Sequence, residues 1–177
     1  MNRTQVIEQL PGLRRYARVL TGDTWAADDL VQDTLERACS KWRLWRSGSD
    51  LRAWLFTLMH NLYLNQRRAL PTLQRLEIEE VQDSLEGHGA SADEALDLER
   101  CLQRLPADQR AVLLLVTLED LSYEETARVL GIPLGTVMSR LSRARSRLRV
   151  LMDQAATPAS AEPQPAPTAT PLLRRLQ

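Results

Sequence analysis

Apolar residues recur at three- and four-residue spacing through most of this 177-residue chain, and almost nothing alternates with period two. That spacing predicts an all-α protein. A first block, about Gln5 to Ala69, fits three or four helices, with breaks at TGD (21–23) and RSGSD (46–50). A second block, about Asp93 to Asp153, fits four helices punctuated by Pro106, Leu121-Ser122 and Gly131-Ile132-Pro133. Between them, residues 71–92 open on Pro71, lose periodicity and contain GHG, as a linker with at most a short helical turn would. The last stretch, 154–177, is rich in Pro, Ala and Thr and is expected to be disordered. The expected organisation is therefore two small helical domains, 1–70 and 93–153, a linker at 71–92 and a tail at 154–177.

Charge sharpens this division. The chain carries 23 basic and 23 acidic residues and is neutral as a whole. Residues 1–70 hold eleven basic against seven acidic residues, and residues 100–153 nine against six. Residues 71–99 hold one basic and nine acidic residues, a net of −8, so the linker is strongly acidic. All but one of the basic residues are arginine, the exception being Lys41. Arginine suits forked contacts to phosphate and guanine, although a GC-rich genome would also favour it.

Several function classes fall away. Cys39 and Cys101 share no CxxC spacing, and His60 and His88 are isolated, so no metal site, cofactor or Cys/His catalysis is expected. These four residues read as buried or half-buried bystanders. The longest apolar run, AVLLLV at 111–116, is too short to cross a bilayer. The opening MNRTQVIEQLPGLRR lacks the apolar core and cleavage site of a secretion signal. The expected location is therefore the cytoplasm.

The most informative stretch is SYEETARVLGIPLGTVMSRLSRARSRL, residues 122–148. Ser122 and Glu125 form a capping-box pattern, and Gly131 can adopt the left-handed conformation that ends a helix. After Ile132-Pro133 a longer helix begins, which is the helix-turn-helix plan. At about 100° per residue, Leu134, Val137, Leu141, Ala144 and Leu148 share one face of it. Thr136, Ser139, Arg140, Arg143, Ser146 and Arg147 share the opposite face. Residues 134–149 contain five arginines and no acid. A plain solvated face usually mixes signs, so uncompensated arginines point to an anionic partner, and DNA is the reading preferred.

In the first block, TWAADDLVQDTLERA (24–38) places Ala27, Leu30, Val31, Thr34, Leu35 and Ala38 on a core face. Asp29, Gln32, Asp33 and Glu36 gather elsewhere on the helix, as either a solvated face or a docking face. Further on, KWRLWRSGSDLRAWLFTLMHNLYLNQRR (41–68) interleaves aromatic and basic residues. Such a mixture suits single-stranded DNA, where bases stack on rings and phosphates meet arginines. Core packing is the competing role for Trp42 and Trp45, and the assigned one for Trp54.

GIPLGTVMSRLSRAR resembles the recognition helix of region 4 in the extracytoplasmic-function (ECF) sigma factors of bacterial RNA polymerase. LQRLPADQRAVLLLVTLEDLSYEETARVL resembles the rest of that region, and DDLVQDTLERA resembles region 2.2. Together the likeness spans about Leu10 to Leu151. It implies a region 2 helical bundle and a region 4 helix-turn-helix joined by the acidic linker. It also implies that the protein binds core RNA polymerase and promoter DNA and promotes strand opening, with no small-molecule substrate and no enzymatic chemistry. By match, Asp29, Gln32, Asp33 and Glu36 meet the clamp helices of the polymerase β′ subunit. Trp42, Trp45, Asn61, Asn65, Arg67 and Arg68 fall in regions 2.3 and 2.4, which recognise and melt the −10 element. Thr136, Val137, Ser139, Arg140, Arg143 and Arg147 fall to the −35 element, with Val137 partly shared by the core.

Asn65 stands where many members carry Asp, which bears on the −10 sequence read. The family captures a flipped base in a loop corresponding to 46–50. It also threads its linker through the positively charged polymerase cleft, a path that the net −8 of residues 71–99 would suit, although a plain solvated linker needs no such role. An anti-sigma factor is the further partner the family implies, often holding the protein at the membrane. An operator-binding regulator would explain the helix-turn-helix but not the 24–38 and 41–68 patterns. A sigma mimic that only titrates an anti-sigma factor would have no reason to keep the arginine face.

Overall fold

The computed structural model describes residues 3–44, 50–69 and 92–156, and among them every regular element is helical. Helices α1 (Arg3–Thr21), α2 (Thr24–Lys41) and α3 (Leu51–Ala69) form the first group, with a single 3-10 turn at Trp42–Leu44 after α2. Helices α4 (Ala92–Gln103), α5 (Ala107–Thr117), α6 (Tyr123–Leu130) and α7 (Leu134–Ala156) form the second. The expected linker, including His88, lies outside the described residues apart from Ala92, which opens α4. The tail is also outside them, except that α7 runs through Ala156 rather than stopping at Asp153. Gln154, Ala155 and Ala156 are good helix formers, and the first breaker is Pro158.

Local chemistry sets each boundary. Gly22 takes φ 75° between α1 and α2, and the Asp23 carboxylate caps α2 by accepting from the Ala26 N–H at 2.7 Å. Asp50 does the same for α3, accepting from Ala53 N–H at 3.2 Å. The Ser122 hydroxyl accepts from Glu125 N–H at 3.2 Å, and the Glu125 carboxylate accepts from Ser122 N–H at 2.8 Å. This reciprocal pair starts α6 and holds the Glu125 carboxyl below its ordinary range. Gly131, at φ 64°, ends α6.

The two groups do not stand apart. Leu13, Tyr16, Ala17 and Leu20 of α1, Leu30 of α2, and Leu55, Phe56 and Met59 of α3 are buried in one core cluster. Ala111, Leu114 and Leu115 of α5, Leu121 and Val129 complete the same cluster from the second group. The opposite side of α5 puts Val112 and Leu113 into a second core with Cys101, Leu105, Val137, Leu141, Ala144 and Leu151. Helix α5 is thus a wall shared by both cores, and residues 110–115 are all buried. That explains AVLLLV: a helix apolar all round is one enclosed on all sides.

Polar contacts cross the same seam. Glu119, in the turn after α5, is 0% exposed. Its carboxylate accepts from Arg52 at 3.0 Å and from Arg15 at 3.3 Å, both in the first group. A Cβ on Gly12 would sit 2.6 Å from the same carboxylate, which would have to shift to admit it. Gln103 of α4 donates to the Val19 carbonyl at 2.7 Å. Arg110 is buried and donates to the Gln103 carbonyl at 2.9 Å; burial lowers its pKa, opposed by the Tyr63 side chain across the seam.

The cysteine and histidine readings divide. Cys101 is buried, and burial raises its thiol pKa, whereas Cys39 is exposed at the outer side of α2. His60 is buried, with Nδ1 3.2 Å from the Tyr16 hydroxyl. No group of residues able to hold a metal ion occurs among the described residues.

Two outcomes follow from these buried groups. Removing Arg52 as Arg52→Met leaves Glu119 with Arg15 alone. The expected loss is on the order of 2 kcal/mol, below the roughly 3–5 kcal/mol of a fully orphaned buried charge. Small-angle scattering should register a larger radius of gyration as the groups part, and an unchanged radius would mean that the ion pairs do not hold the seam.

His60 should also make stability depend on pH. Burial first, and the Arg140 charge second, lower its pKa from 6.5 to about 4. The unfolded chain therefore takes up the proton first, and stability falls as pH drops from about 6.5 towards 4. The change for this group is on the order of 3 kcal/mol. Denaturant melts across that window should be flatter for His60→Asn than for the wild type.

Candidate polymerase and promoter surfaces

Helix α2 buries Ala27, Leu30, Val31, Thr34 and Ala38, which turns Asp29, Gln32, Asp33 and Glu36 outward. All four are exposed and lie within three turns. The Gln32 amide donates to Glu36 at 3.0 Å, and Gln66 of α3 donates to Asp33 at 3.0 Å. These bonds tether the Asp33 and Glu36 carboxylates. The arrangement can take a basic partner by long-range attraction and by charge-assisted hydrogen bonds.

Helix α3 carries the second set of expected residues. Asn61, Asn65 and Arg68 are exposed along it. Arg67 is half-buried, with its guanidinium 5.9 Å from the centre of the Tyr63 ring and a hydrogen bond to the Tyr63 hydroxyl at 3.5 Å. The guanidinium itself is thus partly committed to the protein. Trp42 is half-buried and meets Trp54 edge-on at 6.3 Å, so it packs at least as much as it presents. Trp45 and the 46–49 loop lie outside the described residues.

In the helix-turn-helix, α6 and α7 meet across Gly131-Ile132-Pro133, and Pro133 accepts from the Thr136 N–H at 2.9 Å to start α7. Val137, Leu141 and Ala144 face inward as the periodicity requires. Val137 is 0% exposed and belongs to the second core, the part of its expected role that the core shares. Leu134 is a correction, because it is exposed although it falls on the nominal apolar face. It begins α7, where the helix projects beyond the core. Met138, one turn on, is 54% exposed beside it, and periodicity alone did not single it out. The signal available was a large apolar residue on the polar side of the helix.

Arg143 and Arg147 are exposed on the outer face, while Thr136 and Ser139 are half-buried there. Arg140 differs. Its Nε lies 3.1 Å from an Asp108 carboxylate oxygen, and its side chain is only 29% exposed. The acid that balances it comes from the first turn of α5, so a count of charges along α7 alone missed it. The pair fixes one edge of the guanidinium. The exposed cations of α7 meet no acid until Asp153 in the sequence.

Comparisons with known proteins agree with this geometry. Residues 6–60 match the family model described as the Sigma2 domain of PhyR, and residues 95–148 match the one described as sigma-70, region 4. The ECF RNA polymerase sigma factor EcfG of Rhodopseudomonas palustris is 38% identical over 156 residues, covering 85% of this chain and 84% of its own. Among solved structures, the sigma factor RpoE of Bartonella quintana, in complex with the anti-sigma factor NepR, superposes with a TM-score of 0.69 at 36% identity. That alignment covers 85% of this chain and 96% of the other. CnrH, in complex with the cytosolic domain of CnrY, superposes at 0.66 with 26% identity over 85% and 86% of the two chains.

Two helical groups, one matching sigma region 2 and the other region 4 with its helix-turn-helix, define a transcription initiation factor. The chain belongs to the ECF RNA polymerase sigma factors, and its function is promoter recognition and transcription initiation with RNA polymerase. No helix among the described residues is long and apolar enough to cross a membrane.

The different burial of two neighbours on α7 makes a direct test. Val137→Ala should cost about 2 kcal/mol in stability, as expected for shortening a packed side chain, and leave sequence preference intact. Arg143→Ala should leave the melting curve unchanged and weaken promoter binding. The loss should be about 1–3 kcal/mol at one position if the residue reads a base, and uniform across sequences if it meets phosphate. Thermal melts together with binding to a panel of −35 variants separate these effects.

Proposed function

We propose that the chain divides its work among three surfaces. The exposed carboxylates of α2, from Asp29 to Glu36, dock region 2 on the β′ clamp helices of core polymerase. The outer side of α3, with Asn61, Asn65, Arg67 and Arg68, meets the −10 element, Trp42 and Trp45 supplying stacking surface as the strands separate. The start and outer face of α7, with Thr136, Ser139, Arg140, Arg143 and Arg147, enters the major groove at the −35 element. The domains are residues 1–70 and 93–153, joined by the acidic segment. The bond-making chemistry belongs to the polymerase, so this chain needs no catalytic group, and it works in the cytoplasm where its polymerase is.

The observation that carries this reading is the opposition on α7 between buried Val137, Leu141 and Ala144 and exposed Arg143 and Arg147. Such a helix is anchored on one side and cationic on the other. In the closed arrangement, α6 packs on α3 and Glu119 ties the turn between α5 and α6 to α1 and α3. Reading two promoter elements at once requires the two groups to come apart, and core polymerase supplies the surface on which they do so. An anti-sigma factor is the second partner. The support for it is that the superposed sigma factor RpoE was solved in complex with the anti-sigma factor NepR.

Transcription by purified core polymerase with this protein, followed by mapping of start sites, tests the reading. Discrete starts preceded by shared −35 and −10 sequences are expected, and none should appear without the protein. Reversing two carboxylates as Asp29→Lys with Asp33→Lys should abolish both core binding and these transcripts. Stability should change by under about 0.5 kcal/mol, as for exposed substitutions generally. Core binding at wild-type strength would remove α2 from the interface.

A further inference from the structure

Trp25 is 83% exposed, the most exposed of the large apolar side chains in the described structure. Its position on α2 explains why folding does not bury it. At about 100° per residue, Trp25, Asp29, Gln32 and Glu36 fall within roughly 60° of one another. The buried residues Ala27, Leu30, Val31, Thr34 and Ala38 centre on the opposite side of the helix. The indole begins the same stripe that the carboxylates continue and points away from the core of its own domain. Trp54 and Trp42, by contrast, meet each other and pack.

A bare indole at the end of a polar, acidic stripe has the make-up of an interface anchor. Energy in protein interfaces concentrates in a few residues, with tryptophan prominent among them, and surrounding polar side chains exclude water from around the anchor. The carboxylates select a basic partner surface. The indole face offers such a surface an apolar contact and a seat for a lysine or arginine. Neither role needs any movement of α2, whose start is fixed by the Asp23 cap.

We propose that Trp25 is the apolar anchor of the face that docks on core RNA polymerase, extending that face one turn towards the start of α2. The assignment rests on the docking role proposed above for Asp29 to Glu36. It adds a residue that the charge pattern alone does not pick out and gives the interface a contact that salt does not screen.

The test is titration of the full-length chain onto core polymerase at low and high salt, with three variants. Trp25→Ala should bind roughly tenfold more weakly or worse at both salt concentrations, with an unchanged melting curve. Trp25→Phe, which keeps an aromatic face, should recover most of that loss. The Asp29→Lys, Asp33→Lys double variant reports separately on the docking face. If that variant loses binding while Trp25→Ala binds as the wild type does, the anchor assignment is overturned and the docking face stands. If both bind as the wild type does, the docking face itself is wrong. Weaker binding by Trp25→Ala accompanied by a lowered melting temperature would make Trp25 a residue of the fold and overturn the assignment as well.

Discussion

A carboxylate with no exposed surface, held between two arginines and set against a glycine, joins the halves of this protein. Glu119 belongs to the turn after α5, while Arg15, Arg52 and Gly12 belong to α1 and α3. A buried acid without partners would cost several kcal/mol, so the seam is favourable only when both sides have the right geometry at once. The arginines remain partly exposed and are readily solvated when the seam parts. The arrangement is therefore specific when closed and not prohibitively costly to open, as befits a contact between domains of one chain.

The rest of the architecture follows from that contact. Because α5 is enclosed on two sides, its residues can be apolar all round without exposing a patch. Because α5 is fixed, Asp108 in its first turn stands where it can pair with Arg140 of α7. The same Arg140 charge helps to lower the pKa of His60, which lies on α3 in the other half. The Asp108–Arg140 pair lies within the second group, and through the Arg140 charge the buried histidine of the first group registers the closed arrangement.

Much of this was legible in the sequence wherever the cause was local. The helices, the capping box at Ser122, the Gly131 stop and the inward face of α7 depend on residues within a turn or two of each other. The exposed face of α2 follows from the same spacing. What was not legible depends on distant partners. Glu119 lies 104 residues from Arg15 and 67 from Arg52, and no spacing rule connects them. The balancing of Arg140 by Asp108 is hidden for the same reason. Leu134 is exposed although it shares the inward face with Val137, because periodicity gives the direction of a side chain but not where the core ends. The run AVLLLV marked a segment too short for a membrane, but that two groups enclose it depends on partners distant in the sequence.

That enclosure constrains how a sigma factor with this seam can act. Once region 4 leaves region 2, Leu114, Leu115, Leu121 and Val129 lose the cover that α1 and α3 give them. Burial of apolar surface is worth about 25 cal/mol per Å², so several such side chains left in water oppose opening by more than the ion pairs alone. Opening is then favourable only where another surface takes the place of the first domain. Separation by itself would expose an apolar patch and invite aggregation. Any surface that separates the two groups must therefore itself cover Leu114, Leu115, Leu121 and Val129.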